Sequence, residues 1–329
     1  LSTYTSMCPL SCVLCSETSA ILIPSNIRIL VAAGKLLVVP ADGSHWLSMH
    51  SVVELLIERG HHVVVVAPES NMNLNTSHRY EMKTYPVTVS KQQLKNHFQS
   101  LSCELFTQRT FLEKIKKHRE LLNEVGDIMI NICTCMLNND HLMQTLKESY
   151  FDAVFTDPIL PCGQILAELL SVPSVFFLRE VPCHLDAEAT LCPLPLSYVP
   201  RFFTGLTDRM TFFERLGNLL IDRTMNVHCG VVYSRFQRLI SQILQRDLSV
   251  SEILSHGSIW LLRQDFVLQF PKPIMPNMIF IGGINCDQGK PLAQVGIKIF
   301  CYTQYIGGYL LSTAVAEMLS VVANSGKRH

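Results

Sequence analysis

Apolar and polar positions follow two different periods along this chain, and the switches between them outline its elements. Leu36-Leu37-Val38-Val39-Pro40 is a continuous apolar run, the pattern of a strand buried on both faces. Ala41 to His45 (ADGSH) follows as a tight loop, with glycine for the turn and Ser44 as a candidate helix cap. From Trp46 to Arg59 the apolar residues fall at 49, 52, 53, 56 and 57, which is helical spacing. Gly60 ends that helix, and His62 to Ala67 (HVVVVA) is a second, β-branched strand. Strand, helix and strand within about thirty residues make a crossover unit, and such units build parallel sheets.

The pattern returns later. Phe151 to Asp157 predicts a strand, Pro158 to Pro161 a loop, Cys162 to Leu170 a helix and Val172 to Leu178 the next strand. Phe111 to Glu148 has the spacing and charge of surface helices, and Met210 to Gln245 is helical too. Ser258 to Arg263 and Met278 to Gly283 read as closing strands, separated by the proline-punctuated stretch Gln269 to Asn277. No repeat at a solenoid period is visible. The fold class expected is α/β: a Rossmann-like, doubly wound parallel sheet.

Charge narrows the partners. Lys plus Arg and Asp plus Glu both number 27, so nothing steers the chain toward phosphate backbones, and nucleic acid is not an expected partner. The twelve cysteines are scattered. Neither Cys12/Cys15 nor Cys133/Cys135 has a second pair at zinc-ribbon distance, so no metal is expected and mostly free, buried thiols are. A bridge between Cys183 and Cys192 is permitted if the compartment is oxidising.

In an open parallel sheet, ligands sit beyond the carboxyl ends of the strands, where the strand order reverses. His45 follows the first strand and Asp157 closes the strand of the later unit, so both project over one sheet edge. A histidine backed by a carboxylate is a general base whose tautomer and developing charge the acid holds. The structural alternatives stand beside this: a capping or surface histidine, and an Asx-turn aspartate before Pro158. No G-x-S-x-G elbow supplies a nucleophile, so the proton to be removed belongs to a substrate.

Longer strings carry a resemblance. Gly34 to Met49 (GKLLVVPADGSHWLSM), Phe151 to Leu178 (FDAVFTDPILPCGQILAELLSVPSVFFL), Cys192 to Arg201 (CPLPLSYVPR) and Ile259 to Cys286 resemble vertebrate family 1 UDP-glucuronosyltransferases. The resemblance covers residues 34–294. It implies the N-terminal half of a two-domain GT-B glycosyltransferase, in which the first domain binds a small lipophilic acceptor and the second binds UDP-glucuronic acid. On the matching positions His45 would deprotonate the acceptor hydroxyl and Asp157 would support it. Trp46 and Pro158 would line the acceptor pocket or serve structure. Arg263 would approach the glucuronate carboxylate or be an ordinary surface arginine. The resemblance also implies the endoplasmic-reticulum lumen or membrane, and there the sequon Asn75-Thr76-Ser77 would be glycosylated.

After Gln294 the resemblance is expected to stop. The family's His-Gly-Gly donor signature, its Asp-Gln pair and its membrane helix are not in the sequence, nor is a G-x-G-x-x-G or Walker loop. No cofactor is expected, and the co-substrate UDP-glucuronic acid would have no site, so these residues alone should be inactive. The domains expected are therefore a divergent leader or degraded signal at 1–33, the acceptor-binding domain at 34–294 and an unstructured divergent tail at 295–329. Within that tail Ile299 to Ala323 carries one charge, Glu317, and is long enough to span a bilayer. Glycines and polar residues argue against insertion there. The rival functions are a non-catalytic regulatory partner, pairing with full-length transferase as a homo- or hetero-oligomer, and a splice or gene-model fragment.

Overall fold

The computed structural model describes residues 33–74, 77–104, 111–178, 183–201, 204–264 and 269–284. Seven strands form one sheet: β1 (Lys35–Val39), β2 (His62–Pro68), β3 (Glu81–Tyr85), β4 (Ala153–Thr156), β5 (Ser174–Leu178), β6 (Ile259–Leu262) and β7 (Met278–Phe280). All neighbours pair in parallel, in the order β3-β2-β1-β4-β5-β6-β7. The chain winds outward one way from β1 and then the other way from β4, so the switch point lies between them. The doubly wound, Rossmann-like class follows directly from that order.

Eight helices cover the faces among the described residues: α1 (Ser44–Glu58), α2 (Lys91–Glu104), α3 (Phe111–Leu137), α4 (Asp140–Glu148), α5 (Cys162–Leu170), α6 (Leu185–Thr190), α7 (Phe212–Leu244) and α8 (Val250–Ser255). The central strands are largely apolar because both of their sides are buried. Leu37, Val64, Val154 and Phe176 point into a large core shared with α3 to α8. Val38, Val65, Phe155 and Phe177 point the other way, under Trp46, Met49 and Val53 of α1. No described helix is long and apolar enough to cross a membrane. The leader, the stretch Ile299 to Ala323 and the rest of the tail lie outside the described residues.

Three details differ from the sequence-based expectation. The strand β3 (EMKTY) is unforeseen, because its polar side chains mark an edge strand with no hydrophobic run. Ser44 is not the cap of α1: Gly43 takes that place at φ 76° with no side-chain cap bond, and Ser44 is already helical. The third concerns the cysteines. Cys133 and Cys162 are bridged, as are Cys183 and Cys229, with Cα separations of 5.3 and 5.7 Å. The sequence leads to mostly free thiols and permits, without requiring, a bridge between Cys183 and Cys192. The fold instead brings α7 over Cys183, while Cys192 stays a thiol that donates to the Pro273 carbonyl at 3.3 Å.

Candidate active site

At the switch point the carboxyl ends of β1 and β4 stand side by side, with Val39 opposite Thr156 in the register. The next residue after β4 is Asp157, and six residues after β1 comes His45, in the first turn of α1. The His45 Nδ1 lies 2.6 Å from Asp157 Oδ2. The Asp157 side chain is 3% exposed whereas that of His45 is 22% exposed, so the acid is covered and the imidazole reaches solvent. A carboxylate oxygen can only accept, so in the neutral ring the proton sits on Nδ1 and Nε2 is left as an acceptor. That is the arrangement of a base pointed outward and oriented from behind.

Asp157 also serves as a turn residue: its Oδ1 accepts from the Ile159 N–H at 3.0 Å. The two roles proposed for this aspartate use different oxygens and coexist. Beneath it the Thr156 hydroxyl, 1% exposed, donates to the Val39 carbonyl at 2.7 Å and fastens the two strand ends together. Helix α5 passes so close that a Cβ on Gly163 would collide with Thr156 Oγ1, so glycine is required there. Beyond the loop, the buried Tyr233 hydroxyl of α7 donates to the Ile159 carbonyl at 3.2 Å. Burial, and then the nearby Asp157 carboxylate, push this phenol above its ordinary range.

The loop carrying His45 is clamped separately. The Asp42 carboxylate accepts backbone N–H groups from Gly43 at 2.6 Å, Met72 at 2.5 Å and Asn73 at 3.1 Å, tying the β1–α1 loop to the segment after β2. Asp42, Thr156 and Tyr233 were not singled out from the sequence. An Asp-Gly pair signals a turn locally, but nothing in it reveals an anchor thirty residues away.

The remaining candidates are placed as follows. Trp46 is 2% exposed and lies edge-on to His50 and Tyr80, in the core under α1. The helix turns His45 outward and its neighbour Trp46 inward. Pro158 is buried directly after Asp157. Arg263, just past β6, donates from Nη1 to Ser48 Oγ at 2.7 Å, and Ser48 in turn donates to the Ser44 carbonyl. It therefore braces the first turns of α1 and is partly covered, unlike a free surface arginine. Asn75 lies outside the described residues. Among the described residues no group of three or more His, Cys, Asp or Glu side chains is placed to hold a metal.

Residues 34–307 match the model of the family described as "UDP-glucoronosyl and UDP-glucosyl transferase". The chain belongs to this family. The match runs past Gln294, where the resemblance was expected to stop. Over 262 residues the chain is 47% identical to UDP-glucuronosyltransferase 1A1 of Rattus norvegicus and 45% identical to that of Homo sapiens, covering 80% of this chain and 49% of each relative. Human UDP-glucuronosyltransferase 1A6 is 45% identical over 266 residues. The chain thus spans about half the length of the curated relatives it matches. The crystal structure of CalG4, a calicheamicin glycosyltransferase, is 14% identical with a TM-score of 0.45, covering 80% of this chain and 55% of that one. For this UDP-glycosyltransferase family member the strand order, not that likeness, defines the fold.

Proposed function

We propose that this chain is the acceptor-binding half of a UDP-glucuronosyltransferase, in which His45 is the base and Asp157 holds it. The observation that carries the proposal is the 2.6 Å pair at the switch point, with the acid buried and the imidazole open. An acceptor hydroxyl above His45 Nε2 would give up its proton as its oxygen attacks the anomeric carbon of UDP-glucuronic acid. UDP would leave from the opposite side, so the configuration inverts. Asp157 would stabilise the imidazolium formed in that step. Arg263 would act through Ser48, keeping the turn of α1 that presents His45, and Pro158 would shape the loop behind Asp157.

A small, lipophilic hydroxyl compound is the acceptor class proposed, by kinship with the relatives above. The endoplasmic-reticulum lumen is the proposed compartment, with membrane association and glycosylation at Asn75 as its accompaniments. Two disulfides within the fold support an oxidising compartment, because such bridges persist there and are reduced in the cytosol. Pairing with full-length family members belongs to the same proposal.

The test has two arms. The 329-residue chain given UDP-glucuronic acid and a panel of phenols should form no glucuronide, since its described residues build a single sheet, the one proposed to bind the acceptor. Residues 34–294 joined to a competent family donor domain should regain transfer, and His45→Ala should then lower the rate by about 10² or more, the scale of a lost general base. A joined enzyme that works normally without His45 would remove the imidazole from the chemistry.

A further inference from the structure

A second feature lies on the face of the sheet opposite α1. A cavity of about 310 Å³ opens between the segment after β5 and the segment between β6 and β7, and its lining includes neither His45 nor Asp157. Its walls are largely apolar, with Leu194, Val199, Leu206, Phe270 and Met278 among them. The two sides are joined where the Cys192 thiol meets the Pro273 carbonyl. Volume and lining are those of a small-molecule site.

One side of this cavity is polar, and it is not fully satisfied. Arg201 is 6% exposed. Its backbone N–H donates to Asn218 Oδ1 at 2.8 Å, and its Nη2 pairs with Asp222, both on α7. Its Nε and Nη1 have no hydrogen-bond partner, and neither does the buried His184 Nε2. Buried polar atoms left unpaired are costly and rare, and three of those in this protein belong to Arg201 and His184, which both line this cavity. Burial draws the Arg201 guanidinium down to about 10, with Asp186 and Glu188 opposing the shift. Burial first, then Arg201 and Lys272, hold the His184 ring down to about 3, so at neutral pH it is uncharged. Strongly shifted groups facing a cavity are candidates for a functional site.

Charge selects what would fill the space. Arg201 is already matched by Asp222, and Lys272 Nζ lies 4.0 Å from Asp186. Among the described residues that line it no cation is in excess, and Glu188 adds a further carboxylate nearby. A free anion would therefore gain little, whereas a neutral oxygen could take the spare guanidinium N–H without upsetting the balance. We propose that this cavity binds a neutral, mostly apolar small molecule that presents an acceptor oxygen to Arg201 and His184. The proposal does not depend on glucuronosyl transfer at His45.

Three probes of one shape separate the possibilities: 1-naphthol, naphthalene and 1-naphthoate. Each is titrated into the 329-residue chain while the 13C-labelled methyl signal of Met278, which lines the cavity, is followed by NMR. 1-Naphthol should shift that signal saturably. Naphthalene should bind about tenfold or more weakly, the cost of leaving the guanidinium unpaired. 1-Naphthoate should bind no tighter than 1-naphthol. Leu206→Trp, which fills the cavity and leaves Arg201 intact, should abolish the shift with thermal unfolding unchanged. Arg201→Gln should bring 1-naphthol down to the level of naphthalene. If that variant does not fold, His184→Phe should weaken 1-naphthol selectively. His45→Ala should leave binding as it was, so failure of this site and failure of the proposed transferase chemistry are told apart. No shift at millimolar 1-naphthol, equal affinity for naphthalene, or tightest binding by 1-naphthoate would each overturn the proposal. So would a folded Leu206→Trp protein that retains the shift.

Discussion

Asp157 and Arg201 are both buried charges, yet their surroundings differ. Asp157 has a partner for each oxygen, and those partners are themselves held: His45 by α1, the Ile159 segment by Tyr233. Arg201 has one charged partner and keeps two N–H groups unpaired beside an open cavity. A fully paired charge orients something else, here an imidazole. A partly paired one leaves capacity for a ligand. The same contrast runs along α7. Its second half turns Val232, Phe236, Leu239 and Ile240 inward, as an amphipathic helix should. Its first half turns Asn218 and Asp222 inward to hold Arg201 and its segment, and exposes Phe212, Phe213 and Leu220.

Each region is stapled by one disulfide, and cutting each should have the largest effect on stability. Cys133–Cys162 anchors the start of α5, just after the Asp157 loop, and Cys183–Cys229 anchors the wall that carries His184. With sequence separations of 29 and 46 between the partners, removing either bridge by paired Cys→Ala substitution should cost about 3 kcal/mol. Denaturant unfolding of the two variants measures this. A loss near zero would show that the fold does not depend on that staple.

Gly163→Ala comes next. The added methyl meets the Thr156 hydroxyl, so α5 must move off β4 or the Thr156–Val39 bond must break, at about 1–3 kcal/mol. The same substitution at Gly230, where a Cβ meets nothing, should not destabilise α7. Equal effects at the two sites in thermal unfolding would count against the close approach. Tyr233→Phe should cost about 1 kcal/mol by leaving the Ile159 carbonyl without this donor. In a competent joined enzyme it should lower the rate more than it raises KM, because it loosens the support of Asp157 and touches no acceptor.

A further effect concerns pH and appears only below about pH 6.5. An ordinary histidine protonates near about pH 6.5, whereas in the folded chain His184 is held down to about 3. Between those values the unfolded chain binds the extra proton. The stability linked to His184 is therefore complete above about pH 6.5 and is lost as the pH falls toward about 3. His184→Phe should make the fall in unfolding free energy over that range shallower. An unchanged slope would mean that the ring is not kept neutral by burial.

What the sequence revealed follows from the range of each interaction. Strands β1, β2, β4 and β5 are apolar on both faces, so their runs stand out, and the position of His45 and Asp157 at strand ends follows from them. Edge strand β3 has no such run. The Asp42 clamp, the Tyr233 support and the Arg201–Asp222 pair join residues distant in sequence whose meeting depends on helix packing. Disulfide partners are hidden for the same reason: cysteine spacing permits many pairings, and only the fold brings Cys229 to Cys183.

The most direct measurement is a double-mutant cycle on the joined enzyme, comparing kcat/KM for His45→Ala, Asp157→Asn and the double variant with a phenol acceptor. If Asp157 acts only through the imidazole, then once His45 is gone the second substitution has nothing left to remove. The double variant should then be no slower than His45→Ala alone. Losses that multiply, with the double variant slower by the product of the two single effects, would show that the residues act independently and would contradict a base held from behind by its carboxylate.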